Sequence, residues 1–191
     1  MALALPSDAR FRGAGSRPLG PIDLPEIRQH FLSLDAAGRA CRFHGAVSED
    51  TVRAYADRLD PDQVLLLGAF SAGRLLGLAE IHPVGADGMA EVALSVLPDA
   101  RGAGLGSRLL TEALAWAPSR GIKTLLLESE TDNAALTCLL ARTGARVSRG
   151  PDGISARLPV PAPTAAQTLQ QWLTRSAILW HQAACLLLRP I

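Results

Sequence analysis

The amino-acid sequence predicts a mixed α/β fold in which a twisted mixed sheet is flanked by helices. Two amphipathic helical segments come first, three neighbouring strand-like runs follow, and the remaining body alternates helix, strand, helix and a final pair of strands. The 191 residues suit one domain of ordinary size with an appended element. We therefore expect a loose lead-in over 1–16, a main domain over 17–160, and a proline-rich break with a C-terminal helix over 161–191.

The first predicted elements are a short strand near residues 17–19 and two helices. One face of the first helix, with Asp23 as its N-cap, carries three apolar residues: Ile27, Phe31 and Leu34. The second helix opens at the Ser48 cap and repeats this pattern with Val52, Tyr55 and Leu59. His30 is expected on the surface of the first helix, and Tyr55 in the core.

Glycine and proline divide the rest of the main domain. A hairpin signal at residues 71–73 separates two strand-like runs, and another glycine-rich turn at 85–88 leads into a third. The predicted elements are strands over 63–70, 74–84 and 90–96, a helix over 106–117, a strand over 123–129, a helix over 132–144, and strands over 145–150 and 153–160.

Composition and charge exclude several classes of function. A formal net charge of +1, from 19 basic and 18 acidic residues, gives no field that would attract nucleic acid. Cys41, Cys138 and Cys185 lie too far apart for a disulfide framework or a zinc site, so no metal is expected and a cytoplasmic location fits best. The N-terminus lacks the basic region of a signal peptide, and no apolar run approaches the ~18 residues of a membrane span.

The stretch Pro98–Gly106, PDARGAGLG, predicts an anion-binding turn between a strand and a helix. Glycine lets backbone N–H groups approach a ligand closely, and the helix start adds unpaired amides and a positive dipole end. The dinucleotide fingerprint does not fit, because the sixth position counted from Gly102 is Ser107. A nucleotide-triphosphate loop does not fit either, because the only lysine of the chain is Lys123.

Two motifs in this order resemble those of the GNAT acetyltransferases. Arg101, Gly104 and Gly106 occupy the three positions of an Arg/Gln-x-x-Gly-x-Gly/Ala motif, and Asn133 is followed eleven residues later by Gly144. The resemblance covers about residues 17–160 and leans towards stand-alone bacterial proteins related to protein-lysine acetyltransferase domains. It implies a GNAT-like fold, an acyltransferase activity and acetyl-CoA as the co-substrate, without a metal.

The resemblance also implies where acetyl-CoA binds. Backbone amides of residues 102–106, here called the glycine loop, and of the start of the next helix would hold the pyrophosphate. Arg101 would either add charge or shape the loop. The strand over 90–96 would splay from the parallel strand over 123–129 and offer backbone groups to the pantetheine arm, beside the helix of Asn133. The implied cofactor-binding residues are Leu94, Val96, Arg101, Gly102, Ala103, Gly104, Gly106, Ser107 and Asn133.

An amine acceptor must lose a proton before it attacks, because an ammonium group has no lone pair. By resemblance Glu91 is our first choice of general base, with Glu80 and His82 on the neighbouring strand as rivals. A protein lysine or N-terminus is the favoured acceptor, and His44 either lines its cleft or is structural.

The leaving thiolate has no evident proton donor. The family commonly has a tyrosine seven residues after the asparagine, and here that position is Leu140. Cys138 is expected to be a buried small hydrophobe that does not replace the tyrosine. A catalytically weak or inactive acetyl-CoA-binding regulatory module is therefore the alternative function.

The appended segment predicts an amphipathic helix. Its apolar face carries Leu169, Trp172, Leu173, Trp180, Ala184 and Leu187. Docking of this helix on the main domain is the interpretation that we favour. A homodimer or partner contact ranks second, and association with a membrane surface ranks third.

Overall fold

The computed structural model describes residues 15–161 except 130–132, 142 and 152. Most of the predicted lead-in and the predicted C-terminal helix lie outside the described residues. The strands are β1 (Gly15–Pro18), β2 (Leu65–Ser71), β3 (Arg74–Val84), β4 (Met89–Val96), β5 (Thr124–Ser129), β6 (Arg146–Gly150) and β7 (Gly153–Pro159). The α-helices are α1 (Leu24–Leu32), α2 (Ala36–Phe43), α3 (Glu49–Asp57), α4 (Leu105–Trp116) and α5 (Ala134–Leu140).

The strands form one mixed sheet in the order β1-β2-β3-β4-β5-β7-β6. Strands β1 to β4 are antiparallel neighbours, β4 and β5 are parallel, and β5, β7 and β6 are again antiparallel. The single parallel pair is joined through α4, which crosses over the sheet as a parallel connection requires. The predicted mixed α/β fold with a flanked sheet is confirmed.

Hydrophobic faces account for most of the helix positions. The apolar residues predicted for the first helix, Ile27 and Phe31, are fully buried, and Val52 of α3 is buried against the same core. On α4, Leu109 and Leu110 are buried where the helix contacts β2, β3 and β4. Burial of these apolar side chains is favourable, and the helices therefore pack against the sheet and cover its faces.

Three α-helices rather than two lie between β1 and β2, and the additional one is α2. Asp35 caps it, accepting a hydrogen bond from the backbone N–H of Gly38 at 2.8 Å, and His44 ends it in the left-handed conformation at φ 54°. No residue of α2 is fully buried. The helix was missed because its one large apolar side chain, Phe43, packs against the core from the last position, and a single residue gives no apolar repeat in the sequence.

Two further expectations concern Asp23 and His30. Asp23 is the N-cap residue of α1 as expected, but its side chain does not cap the helix, because its carboxylate accepts hydrogen bonds from Arg17 and from the backbone N–H of Gly20. His30 is not on the surface but only 2% exposed, with Nδ1 3.3 Å from the Leu75 carbonyl oxygen and Nε2 2.8 Å from Ser95 Oγ. These two contacts satisfy a polar ring that periodicity alone assigned to solvent.

Candidate active site

The parallel strands β4 and β5 diverge close to Glu91. Their register contains three pairs, Met89 with Thr124, Ala90 with Leu125 and Glu91 with Leu126. Among the described residues β4 then continues to Val96 and β5 to Ser129 without pairing to each other. The edge of β4 that faces this gap therefore has backbone groups available to a ligand.

A cavity of about 560 Å³ lies at this opening. Its wall comes from α2, the diverging parts of β4 and β5, the glycine loop and α5. The structure brings together here Glu91 and every predicted cofactor-binding residue except Ala103: Leu94, Val96, Arg101, Gly102, Gly104, Gly106, Ser107 and Asn133. Ala103 belongs to the same loop but does not line the cavity.

The glycine loop leads directly into α4. Gly102 and Gly104 have φ of 77° and 78°, a conformation that favours glycine, and Gly104 is the N-cap of α4 without a side-chain cap. A Cβ built at Gly104 or Gly106 would meet no atom within 4 Å. The first amides of α4 have no intrahelical acceptor, so the loop offers N–H donors and open space to an anion.

The Arg101 side chain points to the start of α2. Its Nη2 and Nη1 atoms donate to the two carboxylate oxygens of Asp35 at 2.7 and 2.9 Å, and its Nε donates to the Val96 carbonyl oxygen at 3.2 Å. The hydrogen bond from Arg101, followed by the one from Gly38, lowers the pKa of Asp35 to about 2. Asp35 was not singled out in the sequence, because its partner lies 66 positions away.

The helix α5 places one side chain, that of Cys138, differently from expectation. Asn133 caps α5, its side chain accepting from the Leu136 backbone N–H at 3.0 Å, and lines the cavity. Leu140 is 3% exposed in the core and does not line the cavity. Cys138 was predicted to be buried, but it is exposed and lines the cavity. The side of α5 that carries Cys138 therefore faces the opening between β4 and β5, whereas the side that carries Leu140 faces the core.

Glu91 lies at the point where the strands diverge, on the open face of the sheet. It pairs across the strands with His82 on β3 and with Leu126 on β5. Because side chains alternate along a strand, Glu128, two residues after Leu126, shares this face and also lines the cavity. Neither Glu91 nor Glu128 has an ion pair with a cation in the described part of the chain. Glu128 was not identified from the sequence.

Glu80, a rival base, lies in a buried ionic network. Arg42 donates from Nε and Nη2 to its two oxygens at 2.6 Å each, and the Tyr55 hydroxyl donates to it at 2.6 Å. Burial would raise the pKa of Glu80, but the Arg42 charge and the hydrogen bonds outweigh burial and lower the pKa to about 2. Glu80 is fully buried and does not line the cavity, so it is a poor proton acceptor for a bound amine.

The same network accounts for Tyr55 and His82. Burial, and then the Glu80 charge, raise the pKa of Tyr55 above its usual value. Tyr55 packs its ring against Phe31 and Phe43, as a residue at the edge of the core. His82 Nε2 lies 3.5 Å from a Glu80 oxygen, and His82 does not line the cavity. His44 does line it, as one of the two alternatives predicted.

The described residues contain no candidate for two other kinds of site. No group of three or more His, Cys, Asp or Glu side chains there could hold a metal ion. No described helix is long and apolar enough to cross a membrane.

Comparisons with known proteins agree with this geometry. A family model described as the acetyltransferase (GNAT) family matches residues 33–144. A mycothiol acetyltransferase of Geodermatophilus obscurus is 38% identical over 82 residues, which are 40% of this chain and 27% of that protein. The matched segment thus spans about a quarter of the length of that curated relative.

Solved structures show the same fold. The GNAT domain of S. lividans PAT superposes with a TM-score of 0.65 at 21% identity, covering 76% of this chain and 90% of that one. The PaiA N-acetyltransferase of Thermoplasma acidophilum in complex with coenzyme A gives 0.59 at 19%, covering 76% and 98%. The ribosomal-protein-S18-alanine N-acetyltransferase of Escherichia coli gives 0.59 at 23%, covering 80% and 97%.

Proposed function

The chain belongs to the acetyltransferase (GNAT) family, and from that premise we propose that it transfers the acetyl group of acetyl-CoA to an amine. The observation that carries the proposal is the coincidence of three features at one cavity. The strands β4 and β5 diverge there, the glycine loop and start of α4 border it, and Glu91 stands where the divergence begins.

The cavity suits acetyl-CoA along its length. A Cβ at Gly104 or Gly106 would stand in open space, so a ligand can come close to the backbone there. The loop amides would bind the pyrophosphate through hydrogen bonds and the helix dipole. The free edge of β4, including Leu94 and Val96, would pair with the pantetheine amides. A ligand extended in this way would have its thioester beside Glu91 and its phosphates at the glycine loop.

Direct attack is the chemistry that this arrangement favours. Acetyl-CoA supplies the activated carbonyl carbon, and the amine forms a C–N bond there while the C–S bond breaks. Glu91, lacking a described cation partner, would take the proton of the incoming ammonium directly or through a water molecule. No covalent enzyme intermediate is needed, because positioning two bound substrates already removes much of the barrier.

The leaving thiolate would depart without a tyrosine donor. Leu140 holds the position that the family usually gives to tyrosine, and the Tyr55 hydroxyl donates its hydrogen bond to Glu80 instead. A thiol with a pKa near ~8.5 is a fair leaving group, so loss of the acid lowers the rate without blocking the reaction. This is also the observation that favours the alternative, an acetyl-CoA-binding regulatory module with little or no turnover.

We favour a protein lysine or N-terminus as the acceptor. The relatives point in two directions, since one is named for an alanine of ribosomal protein S18 and another for mycothiol. We propose a cytoplasmic location from the cysteine usage. For the segment over 161–191 we propose docking on the main domain, ahead of a homodimer or partner contact.

The test is to incubate the purified protein with isotope-labelled acetyl-CoA and cell extract, followed by mass spectrometry of proteins and small amines. Label on lysines or N-termini is the expected result. Label confined to a small amine would change the acceptor class. Binding of acetyl-CoA with no labelled product and no release of CoA would favour the regulatory module.

A further inference from the structure

The helix α2 forms one wall of the cavity although it buries none of its own residues completely. Ala37, Gly38 and Cys41 line the cavity from this helix. Phe43 and Arg42 hold the end of α2 through ring contacts with Phe31 and Tyr55 and the ion pair with Glu80. At its start Ala36 and Ala37 are exposed, so polar contacts must position that end. The contact at its start is therefore important for the shape of the cavity.

Asp35 joins the start of α2 to the glycine loop. Its Oδ1 atom accepts from Gly38 N–H inside α2, and both of its oxygens accept from Arg101. Arg101 is in turn bonded to the carbonyl oxygen of Val96, near the end of β4. One guanidinium thus connects three parts of the cavity wall: α2, β4 and the glycine loop.

The local sequence leaves space for this pair. A Cβ at Gly38 would lie 2.5 Å from Nη2 of Arg101 and 2.8 Å from Oδ1 of Asp35, so a larger residue would disturb both groups. All three guanidinium nitrogens of Arg101 donate hydrogen bonds, two to Asp35 and one to the Val96 carbonyl oxygen. The positive charge is also balanced by the Asp35 carboxylate, which weakens its attraction for a phosphate.

We propose that Asp35 is a positioning residue for acetyl-CoA, acting through Arg101 to fix the glycine loop against the start of α2. The proposal rests on the proposed function, in which this loop holds the pyrophosphate. Arg101 then contributes to binding mainly through the geometry of its fork rather than through free charge.

Calorimetric titration of acetyl-CoA into the wild type and four variants tests the proposal. Asp35→Asn and Arg101→Gln should each weaken binding by roughly five- to tenfold, and the double variant should be no weaker than Arg101→Gln, because both changes remove one interaction. Arg101→Lys should behave like Arg101→Gln, since lysine keeps the charge but lacks the bidentate fork. In these variants the KM for acetyl-CoA should rise by a larger factor than the KM for the amine.

Asp99→Asn is the matched control. Asp99 pairs with Arg74 at 2.7 Å and is similarly exposed, but neither residue lines the cavity, so acetyl-CoA affinity should not change. Thermal unfolding of every variant checks that the fold persists.

Three results would overturn the proposal. The first is additive losses in the double variant, and the second is wild-type affinity in Arg101→Lys. The third is unchanged or tighter binding by Asp35→Asn, and tighter binding would mean that Asp35 competes with the phosphates for Arg101. A wild-type protein that does not bind acetyl-CoA would instead refute the proposed function itself, before any variant is compared.

Discussion

At the scale of single residues, the two cavity carboxylates without a described cation partner differ in position. Glu91 stands where β4 and β5 separate, whereas Glu128 lies two residues beyond the last pair between β4 and β5 and accepts a long hydrogen bond of 3.5 Å from Ser155. A base must reach the amine at the thioester, and Glu91 lies closer to the start of the gap. We therefore assign the proton transfer to Glu91.

Replacing Glu91 by glutamine keeps its size but removes its basicity. Turnover should fall by roughly 10²–10⁴, the usual effect of losing a general base, with little change in acetyl-CoA affinity. The rate of Glu91→Gln should recover as the pH rises, because more of the amine is then already neutral. The measurement is a pH–rate profile of CoA release.

Glu128→Gln is the matched control, since it makes the same change on the same face of the sheet. It should keep most of its turnover. If Glu128→Gln loses turnover while Glu91→Gln retains it, Glu128 is the base. If both stay active, solvent deprotonates the amine.

Contacts between distant residues could not be predicted from the sequence at this scale. The motif spacing identified Arg101, Gly104 and Gly106, and all three line the cavity. The partner of Arg101 is Asp35, and that of Arg42 is Glu80, because the fold brings together segments that are 66 and 38 residues apart. Glu128 was missed because an exposed strand glutamate looks the same whether or not a cavity lies beside it.

At the scale of elements, α5 explains why a simple repair of the missing acid should fail. Leu140 is directed into the core, so a tyrosine introduced there would have to fit its larger ring among buried neighbours. Leu140→Tyr should therefore destabilise the protein by about 1–3 kcal/mol without raising turnover. Urea unfolding and the CoA-release assay measure the two effects.

The exposed Cys138, one helical face away, supplies the control for Leu140→Tyr. Cys138→Tyr adds the same ring on the cavity side and should leave the free energy of unfolding nearly unchanged. A Leu140→Tyr protein with wild-type stability and faster turnover would show that this position does face the reacting atoms.

Apolar periodicity determined which elements could be predicted. The buried faces of α1, α3 and α4 and the strands of the sheet gave clear patterns, and these elements agree with the structure to within a few residues. The helix α2 gave no such pattern, because it is held by Asp35, Arg42 and a single large apolar side chain, Phe43.

At the scale of the whole molecule, the buried His30 makes stability depend on pH. Its Nδ1 must donate to the Leu75 carbonyl oxygen, so its Nε2 accepts from the Ser95 hydroxyl. Burial lowers the pKa of His30 from 6.5 to about 4. The folded protein therefore holds the neutral ring over a range in which the unfolded chain is protonated.

The sign of this effect follows from proton binding. Between pH 6.5 and about 4 the unfolded state binds the extra proton, so stability is greatest above pH 6.5 and falls as the pH decreases. The loss attributable to His30 should reach about 3 kcal/mol by pH 4. Urea unfolding at several pH values, compared with His30→Gln, isolates it. Parallel pH profiles for the two proteins would contradict the assignment.

We expect acetyl-CoA to bind where β4 and β5 diverge, with its pyrophosphate at the glycine loop. A substitution of Gly106 tests this position. A Cβ there meets no described atom and Gly106 needs no positive φ, so Gly106→Val should fold normally while placing methyl groups in the path of the pyrophosphate. Gly150, on β6 and away from the cavity, gives a matched Gly150→Val control. Calorimetry should show acetyl-CoA binding to the wild type and the control, and binding weaker by at least roughly tenfold, about 1.4 kcal/mol, in Gly106→Val. Equal affinity in a folded Gly106→Val protein would contradict the claim.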